Sequence, residues 1–117
     1  MESSPASGGT PLRYVIIGGA ASIAPTHIRA LEQLEGAQLA GMSDTSAVRG
    51  LAAAQAAGCP FFEDHRQMLA ELHPDVAVIC APHPFHAALA LDCFAAGAHV
   101  LVEKPIAVSV SEADAMI

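Results

Sequence analysis

Positive charge and aromatic rings are scarce in this sequence. It has no tryptophan, one tyrosine and five lysine and arginine residues, among which Lys104 is the single lysine. The net charge of −7, without any cluster of basic residues, would repel a phosphate backbone, so nucleic-acid binding is not expected. Charged residues are also few, at 15%, whereas hydrophobic residues make up 53% of the chain. This composition predicts a packed core and excludes extended disorder.

Long apolar runs are lacking as well. The longest stretch without Asp, Glu, Lys or Arg spans residues 76–91 and contains Pro82 and Pro84, which disfavour a spanning helix. The N-terminal MESSPASGGTPL has neither the basic region nor the apolar core of a signal peptide. We therefore expect no membrane partner, a cytoplasmic location and a flexible tail over residues 1–11.

Cysteine is also infrequent, since only Cys59, Cys80 and Cys93 occur, far apart and without a C-x-x-C pair. An odd number of cysteines, two of them in apolar runs, favours free thiols in a reducing compartment over a disulfide framework. His83 and His86 have the spacing of a metal pair on a helix, but a site needs further ligands, and the nearby Cys80 is expected to be buried. No metal site is predicted.

Strand-like and helix-like segments alternate along the whole chain. Apolar, strand-like segments occupy residues 13–19, 37–44, 59–63, 75–81 and 98–103. The first helix is expected to begin near Ala24, because Pro25 fits only in a first turn, and to end at Gly36. Gly58 and Gly97 terminate two later helices, and Asp64 is the expected N-cap of the one between them.

This alternation predicts the fold class. Successive βαβ units with right-handed crossovers form a parallel sheet with helices on both faces. We predict an α/β, Rossmann-type, doubly wound sheet in three αβα layers over residues 12–117. A capping box, Ser109-x-x-Glu112, predicts a final helix that the chain end interrupts, so the last strand of such a sheet would be missing.

The first strand runs into a glycine turn. Gly18 and Gly19 can form the tight turn of a dinucleotide-binding loop, which places a pyrophosphate at the N-terminus of the next helix. Ala21 stands where a second glycine is expected, and the strict G-x-G-x-x-G pattern is absent. An ordinary βα turn rich in glycine remains the alternative.

An acid ends the second strand. Asp44 follows Gly18 by 26 positions, whereas the usual separation is about 20 residues. A carboxylate there would accept hydrogen bonds from the adenosine ribose and repel a 2′-phosphate, which favours NAD over NADP. Alternatively, Asp44 caps the following helix, and both roles are compatible.

Three segments together resemble a known family. GGAASIAPTHIRAL follows the first strand, CAPHPFH follows the fourth, and VEKP ends the fifth. In this combination the chain, from about Arg13 to Ile117, resembles the N-terminal NAD(P)-binding domain of the glucose–fructose oxidoreductase / inositol dehydrogenase (Gfo/Idh/MocA) family. The IAP triplet and His27 resemble the branch that acts on nucleotide-linked amino-hexuronates.

The resemblance implies an NAD-dependent dehydrogenase that oxidises a secondary hydroxyl of a sugar, cyclitol or nucleotide-sugar by hydride transfer. It implies Lys104 as the catalytic residue, orienting the hydroxyl or relaying its proton. Glu103 would contact the nicotinamide ribose, and a cis bond would precede Pro105. The cofactor-binding residues that it implies are Gly18, Gly19, Ala20, Ala21, Ser22, Ile23, Asp44, Ala81, Pro82, His83, His86, Glu103, Lys104 and Pro105.

The chain departs from the family in two respects. In the family's T-P-N-x-x-H segment, Pro82 and His86 match, but Ala81 replaces Thr and His83 replaces Asn. The larger substrate-binding domain of the family is not in this sequence, so we expect the 117 residues alone to lack turnover, and a homo-oligomer is possible. The alternatives are a non-catalytic nucleotide-sensing module of the same fold, or a Rossmann protein without a cofactor.

Overall fold

The computed structural model describes residues 11–102, apart from the side chain of His83. The elements are, in chain order, β1 (Leu12–Ile17), α1 (Ala24–Glu32), β2 (Ala37–Ser43), α2 (Ala47–Ala57), β3 (Phe61–Phe62), α3 (His65–Leu72), β4 (Val76–Ile79), α4 (His86–Ala95) and β5 (His99–Val102). A short 3-10 turn, His83–Phe85, leads into α4.

The five strands form one parallel sheet in the order β3-β2-β1-β4-β5. The sequence runs outward from β1 to β3, then crosses back to β4 and β5. Strand order therefore reverses between β1 and β4, where doubly wound sheets open a crevice for ligands. The predicted fold class is confirmed.

Each face of the sheet has its own core. On one face Ile16, Met42 and Val78 pack with Ala24 of α1 and Ala54 of α2. The other face buries its side chains against α3 and α4; its fully or nearly fully buried members include Val15, Ile17, Met68, Leu69, Ala77, Ile79, Ala90 and Cys93. Because strand side chains alternate between faces, neighbours such as Val15 and Ile16 serve different cores.

Most helix ends lie where the sequence predicts them. Gly58 closes α2 in a left-handed conformation, and the Asp64 side chain accepts a hydrogen bond from the Arg66 N–H to cap α3. The prediction for α1 is wrong at its C-terminus: the helix ends at Glu32 rather than at Gly36. The intervening residues form tight turns that return the chain to β2, and Leu34, which fits the helical spacing, is 56% exposed.

Cys59, Cys80 and Cys93 form no disulfide within the described residues, and Cys80 and Cys93 are buried. Burial, followed by the nearby Asp92 carboxylate, raises the pKa of the Cys93 thiol to about 12. Burial also raises the pKa of Cys59. These thiols are therefore protonated at neutral pH, as structural cysteines are.

Within residues 11–102 no helix combines the length and hydrophobicity needed to cross a membrane. In the same range no three His, Cys, Asp or Glu side chains are grouped as metal ligands. Most of the predicted tail and the capping box at Ser109, on which the expectation about the last strand rests, lie outside the described residues.

Candidate functional site

A cleft of about 560 Å³ opens at the carboxyl ends of β1, β2 and β4. Its size is typical of small-molecule sites. Six of the predicted cofactor-binding residues line it: Gly18, Ala20, Ala21, Asp44, Ala81 and Pro82. The structure thus brings together, at the switch point, side chains and backbone from three separate crossover turns.

The glycine turn is held by backbone contacts. The Gly18 and Gly19 N–H groups both donate to the Ser43 carbonyl, at 2.8 and 3.0 Å. Gly18 has a φ of +91°, and a Cβ there would lie 2.7 Å from the Ala81 backbone nitrogen. A Cβ on Gly19 would overlap the Met42 side chain. Both glycines are therefore required to bring the β1 turn against its neighbours.

Asp44 lies beside this glycine turn and also lines the cleft. Its Oδ2 accepts a hydrogen bond from the Ala20 N–H at 2.9 Å, and its Oδ1 accepts one from the Ser46 N–H at 2.8 Å. The alternative role as helix cap is wrong, because the Ser46 side chain caps α2. On the other side, a Cβ on Gly50 would lie 2.8 Å from the Asp44 Cβ, so α2 can approach Asp44 this closely only with glycine at position 50.

The loop leaves donors available at the start of α1. Among residues 11–102 no hydrogen-bond acceptor faces the N–H of Ser22 or of Ile23, and Ile23 as N-cap supplies no side-chain cap. Unsatisfied N–H groups at a helix N-terminus favour an anion. Ser22, Ile23 and Gly19 do not themselves line the cleft, so their predicted contacts remain a prediction.

His86 serves a different purpose in the described structure from the one expected of it. It is 1% exposed, and its Nε2 lies 2.7 Å from the Ala81 carbonyl oxygen. It is not among the residues that line the cleft. His86 therefore positions the Ala81–Pro82 segment, and direct contact with a cofactor stays a prediction. The backbone of His83 belongs to the 3-10 turn before α4.

The opposite wall was missed by the sequence analysis. Four α4-side residues, Phe85, Ala88, Leu89 and Asp92, line the cleft. Their spacing of three, four and seven positions places them on one helical face. The signal was present in the sequence, but it reads equally well as a core-facing stripe.

Charged side chains join this wall to α3. The Asp92 Oδ2 lies 2.7 Å from the His65 Nε2 and accepts a hydrogen bond from the Arg66 Nε at 3.1 Å. Partial burial raises the pKa of the Asp92 carboxyl, but the hydrogen bonds with His65 and Arg66 and their attraction outweigh it, so the net pKa is lowered. His65, Arg66 and Asp92 all line the cleft.

Arg49 was also missed. It lines the cleft from α2, and its guanidinium donates to the Ala20 carbonyl oxygen at 3.3 Å. This interaction places a cation beside the turn that Asp44 holds. Glu103, Lys104 and Pro105, including the expected cis bond and the catalytic role, lie outside the described residues.

The family model described as "Oxidoreductase family, NAD-binding Rossmann fold" (GFO_IDH_MocA) matches residues 12–117. The chain belongs to this family. The predicted membership is confirmed, and the Gfo/Idh/MocA match includes residues 103–117, which lie outside the described part.

Several characterised proteins are similar to this Gfo/Idh/MocA chain. The D-glucoside 3-dehydrogenase of Escherichia coli is 31% identical over 92% of the chain and 31% of its own length. The UDP-N-acetylglucosamine 3-dehydrogenase of Acidithiobacillus ferrooxidans is 39% identical over 68% of the chain and 25% of its own length. The crystal structure of the WlbA dehydrogenase from Bordetella pertussis with NADH and UDP-GlcNAcA superimposes with a TM-score of 0.86 and 31% identity, over 91% and 32% of the two chains.

The chain spans a quarter to a third of the length of these relatives. It is the NAD-binding Rossmann domain of the oxidoreductase family. Its residues fit that cofactor: an acid at the end of β2, a turn too tight for a Cβ, and backbone N–H groups without described partners at the start of α1. The nicotinamide supplies the hydride acceptor in such enzymes.

Proposed function

We propose that this chain provides the cofactor site of an NAD-dependent dehydrogenase that oxidises a secondary hydroxyl of a sugar, cyclitol or nucleotide-sugar. The observation that carries the proposal is the position of Asp44, whose carboxylate faces the cleft and holds the glycine turn at the same time. Dehydrogenases of glucosides, inositol and UDP-N-acetylglucosamine among the relatives support the substrate class.

Asp44 can hold the adenosine ribose without giving up its contacts to the protein. Each carboxylate oxygen accepts one backbone hydrogen bond and has capacity for a second. The ribose hydroxyls would donate to these remaining positions. The backbone bonds fix the carboxylate before the ligand arrives, so little side-chain entropy is lost on binding.

The pyrophosphate would lie between Gly18 and the start of α1. There the donors are backbone N–H groups, and the α1 N-terminus adds a favourable dipole. Arg49 also lines the cleft, and its hydrogen bond to the Ala20 carbonyl oxygen places a cation beside the glycine turn. Because a carboxylate repels a 2′-phosphate, NAD rather than NADP is the preferred cofactor.

Lys104 is proposed as the residue that acts on the substrate, with Glu103 on the nicotinamide ribose. The support is the match of VEKP to the family pattern. Removing a hydride from a secondary alcohol requires loss of the hydroxyl proton. A positioned ammonium can orient that oxygen and stabilise the developing negative charge.

Calorimetric titration with NAD and NADP tests this proposal. We expect wild type to bind NAD more tightly than NADP. We expect Asp44→Ala to lose roughly tenfold to hundredfold in NAD affinity, the value of a hydrogen bond to a charged group. The preference for NAD should shrink in this variant, because the repulsion of the 2′-phosphate is removed.

Asp75→Ala is the matched control. Asp75 also accepts a backbone hydrogen bond, from Arg13 at 2.8 Å, but at the opposite end of the sheet. The Asp75→Ala substitution removes the same charge and a comparable hydrogen bond, but Asp75 does not line the cleft. Equal affinities for the two cofactors in wild type, unchanged by Asp44→Ala, would refute the role of Asp44.

A further inference from the structure

The cleft has two chemically different walls. The first, at Gly18–Ala21 and Asp44, consists of backbone and a carboxylate. The second is apolar and comes from Phe85, at the end of the 3-10 turn that leads into α4, and from Ala88 and Leu89 of α4. Phe85 is 57% exposed although it is aromatic. A pyrophosphate belongs at the first wall, and a flat purine attached to the ribose at Asp44 belongs against the second.

A carboxylate stands next to this apolar surface. Asp92 follows Ala88 and Leu89 by one helical turn and lines the same cleft. One of its oxygens, Oδ2, is engaged by both His65 and Arg66. The other, Oδ1, has no hydrogen-bond donor within the described part of the chain. Asp92 is thus fixed in orientation through one oxygen and can accept a hydrogen bond through the other.

We propose that Asp92 selects the base of the dinucleotide by accepting a hydrogen bond from the exocyclic amino group of adenine. This inference rests on the proposed function, since it places NAD in the cleft. His65 and Arg66 are positioning residues: they hold the carboxylate and do not touch the base. Asp92 is ionised at neutral pH, because its pKa is lowered from an ordinary value of 3.8 that already lies far below neutral.

The two purines adenine and hypoxanthine differ in the group that would face Asp92. Adenine carries an amino group at C6, which donates to a carboxylate. Hypoxanthine carries a carbonyl oxygen at the same position, and that oxygen would meet the Asp92 oxygen lone pair to lone pair. A site built to accept a hydrogen bond rejects a ligand that lacks the donor much more strongly than an apolar pocket does.

Calorimetric titration with NAD and with nicotinamide hypoxanthine dinucleotide tests the inference. Wild type is expected to bind NAD roughly tenfold or more tightly than the hypoxanthine analogue. In Asp92→Asn the ratio should fall towards one, because an amide can turn either its oxygen or its nitrogen to the base. The analogue should bind this variant more tightly than it binds wild type, a gain that the mere loss of an α3–α4 contact does not produce.

Glu71→Gln is the control, because Glu71 is exposed at the end of α3 and hydrogen bonds only to Gln67 in the described part. It should leave both affinities and their ratio unchanged. Equal affinities of wild type for the two dinucleotides, or an equal loss for both in Asp92→Asn, would assign Asp92 to the α3–α4 contact only and overturn the inference. Absence of NAD binding by wild type would instead refute the proposed function, and this inference with it.

Discussion

The two walls of the cleft are built on different principles. At Gly18 and Asp44 the geometry is set by backbone: glycines without room for a Cβ and a carboxylate that accepts two N–H groups. At α3 and α4 it is set by side chains, namely an apolar stripe and the cluster of His65, Arg66 and Asp92. The first wall therefore tolerates almost no substitution, whereas the second can vary and tune what is bound.

Among the substitutions that distinguish the two walls, Gly18→Ala is expected to have the largest effect, and this effect is on the stability of the fold. The added Cβ would meet the Ala81 backbone at 2.7 Å in a residue with φ of +91°, so the β1 turn and the β4 end must move apart. We expect a loss of about 3 kcal/mol or more in the free energy of unfolding, measured by denaturant titration.

Gly58→Ala is the matched control, because Gly58 has a φ of +77° but nothing within 4 Å of the added Cβ. It should lose about 1 kcal/mol from the backbone conformation alone. If both variants lose the same free energy of unfolding, the close packing around Gly18 adds nothing to the cost of its backbone conformation, and this prediction is wrong.

A smaller effect, confined to binding, is expected at the second wall from Phe85→Ala. The ring is more than half exposed, so the stability of the fold should change by less than about 0.5 kcal/mol. Loss of a stacking surface for the base should weaken NAD affinity roughly tenfold, as judged by calorimetry. Phe94→Ala, also exposed on α4 but outside the cleft, should leave the affinity unchanged; an equal loss there would argue against stacking.

The smallest effect concerns the charged cluster. Because the folded-state pKa of Asp92 is lowered from its ordinary value of 3.8, the cluster stabilises the fold above that pH and loses its contribution as the pH falls through the lowered value. Asp92→Asn should lower the free energy of unfolding by about 0.5 kcal/mol at pH 6. Denaturation at pH 6 and at pH 2.5 checks this: the difference from wild type should be smaller at the lower pH, whereas Glu71→Gln should show no such pattern.

The fold could be predicted from the sequence because the patterns that determine it are local. Continuous apolar strands separated by helices with caps such as Asp64 and Gly58 define the alternation, and the handedness rule supplies the topology. The end of α1 was not readable from the spacing of Leu34, because the return of the chain to β2, not the helical pattern, decides where the helix stops.

Only one wall of the candidate site could be predicted from the sequence, for a related reason. Gly18 and Asp44 follow strand ends, where sequence position determines spatial position. Arg49, His65 and Asp92 lie on three different helices and meet only in the lining of the cleft, so no short sequence motif contains them together. His86 shows the converse: the motif position matches, yet the side chain is buried on the Ala81 carbonyl.

The lack of room for a side chain at Gly50, beside Asp44, bears on attempts to alter cofactor preference. A direct approach would substitute the acid at the end of the second strand without regard to its neighbours. Here any side chain at position 50 would press on the Cβ of Asp44 and on the Phe61 ring. Mutant libraries directed at NADP use should keep glycine at position 50 and vary the acid together with Arg49, or they will select for repacking of α2 instead of for a new ligand.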